Sequence, residues 1–158
     1  MTQKSQDIDP QEMDPQSLAE ACAEVLWHND PASKKLGMSI EKIAPGYAEL
    51  SMTIANDMVN GHGICHGGFM FTLADSTFAF SCNTYNQNCV AQHCTISYLA
   101  PAFTGDQLYA TGREVSRHGR NGIYDITIVN QKNKKIVEFR GYSRTIAGTL
   151  VPTNSTPA

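Results

Sequence analysis

Asp75 is the single acid in the apolar run from Phe69 to Phe80, where its neighbours include Met70, Leu73, Ala74 and Phe78. A carboxylate in such company must be paired, desolvated or put to chemical use. Just upstream stand Gly61, Gly63, Gly67 and Gly68, which let bare backbone come close to a ligand. A helix that starts in such a loop offers unpaired N–H groups and the positive end of its dipole. Gly67 and Gly68 therefore suit an oxyanion-type hole, with a carbonyl oxygen approaching the helix start. The plainer alternatives are a tight loop-to-helix joint for the glycines, and for Asp75 a buried acid paired with Ser, Thr or Arg to fix a dimer.

Spacing narrows these options. Eight residues of helix hold Gly67 and Asp75 about 12 Å apart, too far to serve one reacting carbon. Two such helices packed antiparallel about a two-fold axis would bring Asp75 of one chain towards the helix start of the other, giving two shared sites per dimer. His62, Cys65 and His66, with His93 and Cys94 further on, raise a metal site, but they lack the ligand spacing of a zinc centre, and no metal is expected. His66 is expected to turn its imidazole towards the loop. Cys65 has no evident base or orienting partner to make it a nucleophile. The chain has no GxxxxGK[ST] loop and no GxGxxG motif, which removes the usual nucleotide-hydrolase and dehydrogenase readings.

The elements that must position these residues follow from periodicity and punctuation. Asp14 and Pro15 open a short amphipathic helix with Leu18, Cys22, Val25 and Leu26 on one stripe, ending near His28. Asp30-Pro31 starts a turn, Met38 to Ala44 has strand character, and Pro45-Gly46 turns the chain into an alternating strand, Tyr47 to Ile54. After the central helix come strands at Cys89 to Leu99, Gln107 to Arg117, Ile123 to Gln131 and Ile136 to Ile146. His118-Gly119-Arg120-Asn121-Gly122 joins the second and third of these, with Asn121-Gly122 as its hairpin signal. Short connections favour antiparallel pairing, which makes the fold class α+β, with one sheet curled around one apolar helix. The helix is apolar nearly all round, so a second subunit is expected to share in covering it.

The 158 residues, 41% hydrophobic, suit one domain, taken as 14–148, with a mobile tail expected at 1–13 and a frayed one at 149–158. No apolar run is long enough for a membrane span and the first residues are polar and acidic, so the expected setting is cytoplasmic. Five cysteines without a CxxC pair read as reduced thiols. The net charge of −3 argues against nucleic-acid binding, yet the C-terminal part is basic, with Arg113, Arg117, Arg120, Lys132, Lys134, Lys135, Arg140 and Arg144 against three acids. A small anionic ligand could lie there; a solvated basic face is the plainer reading.

Taken together, Asn60-Gly61-His62, Cys65-His66-Gly67-Gly68 and Leu73-Ala74-Asp75 resemble the hotdog-fold acyl-CoA thioesterases, specifically the phenylacetate-degradation (PaaI-like) group. The resemblance runs from about Leu36 to Gly148 and takes in Cys94-Thr95-Ile96, Tyr124-Asp125 and Phe139-Arg140-Gly141. It implies an antiparallel sheet wrapped around a long central helix, paired into homodimers with a continuous sheet and commonly into homotetramers. It implies hydrolysis of a small acyl-CoA, aryl-acetyl or related, to acid and CoA, with CoA as part of the substrate and no other cofactor. Gly67 would polarise the thioester carbonyl, Gly68 beside it would bind the substrate, and Asp75 of the opposite subunit would be nucleophile or general base. Asn60 would position water or substrate, and His66 would support the loop. CoA phosphates are expected near Arg117 and Arg120, with Asn121 and Gly122 in the same hairpin. The rival readings are a hotdog dehydratase acting on a hydroxyacyl thioester, and a non-catalytic acyl-CoA-binding module.

Overall fold

The computed structural model describes residues 9–152. Helix α1 (Pro15–His28) starts where Asp14 accepts the N–H groups of Gln16 and Ser17, and it buries Ala19, Cys22 and Ala23. Its buried face is therefore centred beside the expected stripe, of which only Cys22 is fully covered. Asp30-Pro31, expected as a turn, instead opens a single turn of helix, α2 (Pro31–Lys35), because the Asp30 carboxylate caps the Ser33 N–H.

Six strands follow, interrupted once: β1 (Ser39–Ala44), β2 (Tyr47–Thr53), then helix α3 (Gly67–Cys82), then β3 (Cys89–Tyr98), β4 (Gln107–His118), β5 (Asn121–Asn130) and β6 (Lys135–Thr145). They form one sheet in the order β1-β2-β4-β5-β6-β3, and every pairing is antiparallel. Bulges in the β1, β3 and β4 pairings bend the strands, and a bent, twisted sheet can curl around a helix. On β2, Ala48, Leu50 and Met52 point into the core, as alternation predicts, and Ile54 just beyond the strand is buried with them.

Helix α3 lies in the hollow of that sheet. Leu73, Ala74, Phe78 and Phe80 are almost fully buried, and Phe78 packs against Tyr124 and Phe139 at ring-centroid distances of 5.7 and 6.1 Å. Two glycines set how close helix and sheet come. A Cβ on Gly141 would stand 2.8 Å from the Phe78 ring, and one on Gly112 would collide with the Ser81 hydroxyl.

Three expectations need correction. The β4–β5 hairpin turns on Gly119-Arg120, with Gly119 at φ +56°, whereas Asn121 already pairs with His118. A glycine at the first central position matches a type II′ turn, and Asn121-Gly122 becomes the start of β5. The tail expected at 1–13 is already packed at Pro10, which is buried beside a turn in which Glu12 N–H donates to Asp9. The end expected to fray from 149 is held at Leu150 and Val151, whose N–H groups both donate to Asn86 Oδ1. Residues 1–8 and 153–158, the rest of those two segments, lie outside the described residues.

Candidate active site

The loop ahead of α3 is folded by its own polar groups. Asn60 Oδ1 accepts the His62 N–H at 2.9 Å, and the Asn60 N–H donates to Ile64 across the turn. His66 N–H donates to Met58 O and Cys65 N–H to Ala102 O, which pins the strand of loop entering the helix. His66 is the N-cap, and its Nδ1 accepts the Gly68 N–H at 3.0 Å. Histidine thus takes the place usually filled by Ser, Thr, Asn or Asp. Its ring must be unprotonated at Nδ1 to do so.

This arrangement separates the two glycines. The Gly68 N–H is spent on His66, while the Gly67 N–H donates to no backbone or side-chain acceptor recorded among the described residues. Gly67 lines an open cleft of about 440 Å³ together with Asn60, Ile64, Met70, Tyr98 and Leu99. None of the residues lining it carries a formal charge. The residue with the free donor therefore borders a mainly apolar space, where a hydrogen bond to developing negative charge is strongest.

Asp75 lies on the same helix, about 12 Å along the axis from Gly67. It sits on the less covered side of α3 with Thr72 and Ala79. Burial alone lifts its carboxyl above the ordinary carboxylate range; no hydrogen bond or neighbouring cation offsets it. Burial, and then the nearby Asp75 charge, also raise the Cys94 thiol on β3. Cys94 belongs to β3, which ends the sheet and among the described strands pairs only with β6. Val90 and Tyr98 on it are 45% and 49% exposed, so an open, partly apolar edge runs beside the acid.

The hairpin residues stand elsewhere. Asn121 pairs with Arg144 and Cys89 with Thr145, so the β4–β5 turn is at the end of the sheet where α3 finishes. Gly67 is at the other end, about 24 Å away along a helix of 16 residues. The Arg117 guanidinium stacks over the Tyr85 ring at 3.6 Å and lies 3.8 Å from Glu114. Arg120 Nε donates to Thr145 O, and Asn121 Oδ1 accepts from Arg144 at 3.3 Å. Gly122 is buried, and its missing side chain leaves room for Ser143 and Tyr124. One chain therefore gathers Asn60, His66, Gly67 and Gly68 at one end and Arg117, Arg120, Asn121 and Gly122 at the other, with Asp75 between.

Among the described residues no group of three His, Cys, Asp or Glu side chains is placed to hold a metal ion. Cys65 is buried, and burial pushes its thiol up to about 11, which leaves it protonated and poorly nucleophilic at neutral pH. Tyr98 is the cleft residue that sequence reasoning missed. Its hydroxyl donates to Gly67 O at 3.0 Å. A signal for it was present in the lengths: a 16-residue helix spans about 24 Å and a 10-residue strand about 33 Å, so a strand returning along α3 must end near its start.

The model of the thioesterase superfamily matches residues 62–137. Acyl-coenzyme A thioesterase PaaI of Escherichia coli is 44% identical over 128 residues, which cover 81% of this chain and 91% of that protein. The chain belongs to this thioesterase superfamily. Within it, the chain falls in the hotdog-fold acyl-CoA thioesterase group. The structure of the E. coli PaaI protein from the phenylacetic acid degradation operon superposes with a TM-score of 0.85 at 42% identity, covering 86% of this chain and 99% of that one. A mutant structure of the phenylacetic acid degradation protein PaaI from Thermus thermophilus gives 0.72 at 32% identity, over 74% and 100% of the two chains. No helix among the described residues is long and apolar enough to cross a membrane.

Proposed function

We propose that this thioesterase hydrolyses small, uncharged acyl-CoA esters, aryl-acetyl ones among them, in sites completed by two subunits. The observation that carries the reading is the unspent Gly67 N–H in a cleft with no charged lining, about 12 Å from a desolvated and unpaired Asp75 on the same helix. A single chain keeps donor and carboxylate apart. Two chains joined along the open edge of β3, with their α3 helices antiparallel, bring each Asp75 to the other's Gly67. The exposed Val90 and Tyr98 on that edge agree with such a pairing.

In this site the thioester carbonyl accepts the Gly67 N–H, and the acyl group lies against Ile64, Met70 and Leu99. Asn60, whose Oδ1 is held by the His62 N–H, keeps its amide N–H₂ free for substrate or water. Asp75 of the opposite chain then acts in one of two ways. As a general base it takes a proton from water, which adds to the carbonyl carbon; as a nucleophile it adds directly, and water later opens the mixed anhydride. On either route the C–S bond breaks with its electron pair on sulfur, the thiolate takes up a proton, and acid and CoA leave. No step calls for a metal or redox cofactor. Arg117, Arg120 and Asn121, at the far end of the chain that supplies Asp75, would lie along the CoA phosphates. Gly122, being buried, would act there through hairpin shape.

The acyl-coenzyme A thioesterase activity of the E. coli relative supports this substrate class. The commitment of His66 Nδ1 to Gly68 weighs against a dehydratase, which would use a histidine beside the substrate β-carbon. A thiol-release assay with phenylacetyl-, isobutyryl- and succinyl-CoA tests the proposal. Release from the first two and little from the charged succinyl ester is expected. An enoyl product when 3-hydroxybutyryl-CoA is supplied in the same assay, or binding of the three esters without thiol release, would overturn it.

A further inference from the structure

Two adjacent glycines are a poor foundation for an oxyanion donor. Glycine backbone is the most conformationally free, and a donor stabilises a developing charge fully only if it is already aimed. The chain contains two side-chain anchors for this backbone. One is His66, which holds the Gly68 N–H. The other comes from a different element: Tyr98, at the end of β3, donates its hydroxyl to Gly67 O at 3.0 Å. A helix-start carbonyl has two lone pairs, so it can accept Tyr98 beside its ordinary helical bond.

The ring of Tyr98 adds a second contact. A Cβ built on Gly67 would stand 3.0 Å from Tyr98 Cζ and 3.1 Å from its hydroxyl oxygen. The ring thus lies on the Gly67 backbone itself. At 49% exposure, Tyr98 also has a free face, and that face lines the same cleft. Glycine at 67 therefore makes room for the tyrosine as well as for a substrate.

We infer that Tyr98 is a positioning residue for thioester hydrolysis: its hydroxyl and ring clamp Gly67 from β3 so that the Gly67 N–H keeps its aim into the cleft. The inference rests on the proposed role of Gly67. Both anchors hold the Gly67–Gly68 peptide, Tyr98 through its carbonyl and His66 through its N–H, and the preceding peptide is held through its own carbonyl by the Phe69 N–H, so the Gly67 N–H, one Cα away from the clamp, has little freedom left. Because Tyr98 bonds to protein and not to the reacting atoms, its removal affects the alignment of the transition state more than the capture of substrate.

Tyr98→Phe keeps the ring and deletes only the hydroxyl. On the full-length enzyme with phenylacetyl-CoA, kcat should fall about fivefold, the worth of one net hydrogen bond, with KM within about twofold. The acid limb of the pH profile should stay that of the wild type, and the melting temperature should fall by no more than the few degrees that one hydrogen bond is worth. A second comparison tests the ring: Gly67→Ala should lose a smaller factor in kcat in the Tyr98→Ala background than in the wild type, since the added methyl then meets no ring. A wild-type kcat in Tyr98→Phe, or equal losses from Gly67→Ala in both backgrounds, would overturn the clamp. An active Asp75→Asn enzyme would instead remove the underlying site, so the two failures are distinguishable.

Discussion

His66 Nδ1 accepts the Gly68 N–H at 3.0 Å, and this one bond decides which of two neighbouring glycines is left with a free donor. His66→Ala removes the cap and should destabilise the protein by about 1 kcal/mol. It should also cut turnover, because the first turn of α3 loses its anchor. His66→Asn can cap in the same way and should recover most of the melting temperature. Thermal unfolding and thiol release on the two variants check both statements.

Asp75→Asn should leave the fold intact and lower kcat by at least about a hundredfold, in line with loss of a base or nucleophile. It should also raise stability at neutral pH. Burial raises the Asp75 carboxyl in the folded chain, so the folded state binds this proton more readily than the unfolded one. Stability from this group is then greatest at low pH and declines as pH rises from the ordinary carboxylate value through the raised one. The amide has no charge to desolvate, so its gain in melting temperature should appear above that window and vanish below it. A variant with wild-type turnover removes Asp75 from the chemistry.

The same shift predicts the acid limb of the rate profile. Hydrolysis needs the carboxylate, so kcat/KM should rise with pH through an apparent value above the usual carboxylate range. A profile of initial rates across the acid range measures it. A limb at the ordinary aspartate value would mean that assembly restores solvent or a cation to Asp75.

Gly141→Ala sets a methyl 2.8 Å from three atoms of the Phe78 ring. The ring is buried between β6 and the helix, so α3 has to shift. A loss of about 1 to 3 kcal/mol is expected, read as a lower denaturation midpoint. Turnover should fall with it, since Gly67 and Asp75 both belong to the displaced helix.

The thiols should separate by reactivity. The neighbouring Cys82 thiol, and then the Thr145 hydroxyl at 3.4 Å, bring Cys89 down to about 6, while burial pushes Cys65 up to about 11. At pH 7.5 iodoacetamide should alkylate Cys89 ahead of Cys65, as mass spectrometry of timed samples would reveal. Earlier modification of Cys65 would show that its loop opens in solution.

What could be read from the sequence was what local chemistry controls. Asp14-Pro15 placed α1, alternation placed β2, and the Gly-Gly-to-Asp75 interval marked one end and the middle of the central helix. What could not be read depends on contacts between distant residues. Asp30 tightening its turn into α2 depends on how Ser33 is buried against Ser76. The hairpin chose Gly119-Arg120 over Asn121-Gly122, and β6 holds that choice through two bonds between Arg120 and Thr145. Pro10 and Val151 are ordered by a site around Asn86, far from either in sequence. Tyr98 likewise reached Gly67 through the path of the sheet.

That path also orders events during folding. β3 is made before β4, β5 and β6, yet its only partner in the sheet is β6. Cys89 meets Thr145 and Tyr98 meets Val137, so β3 has no ladder until the last strand has been synthesised and docked. Such long-range pairings are slow to form. The helix, its capping histidine and the first five residues of the loop can take shape early, while the tyrosine that steadies Gly67 arrives with the final strand. Catalytic competence is thereby coupled to completion of the sheet.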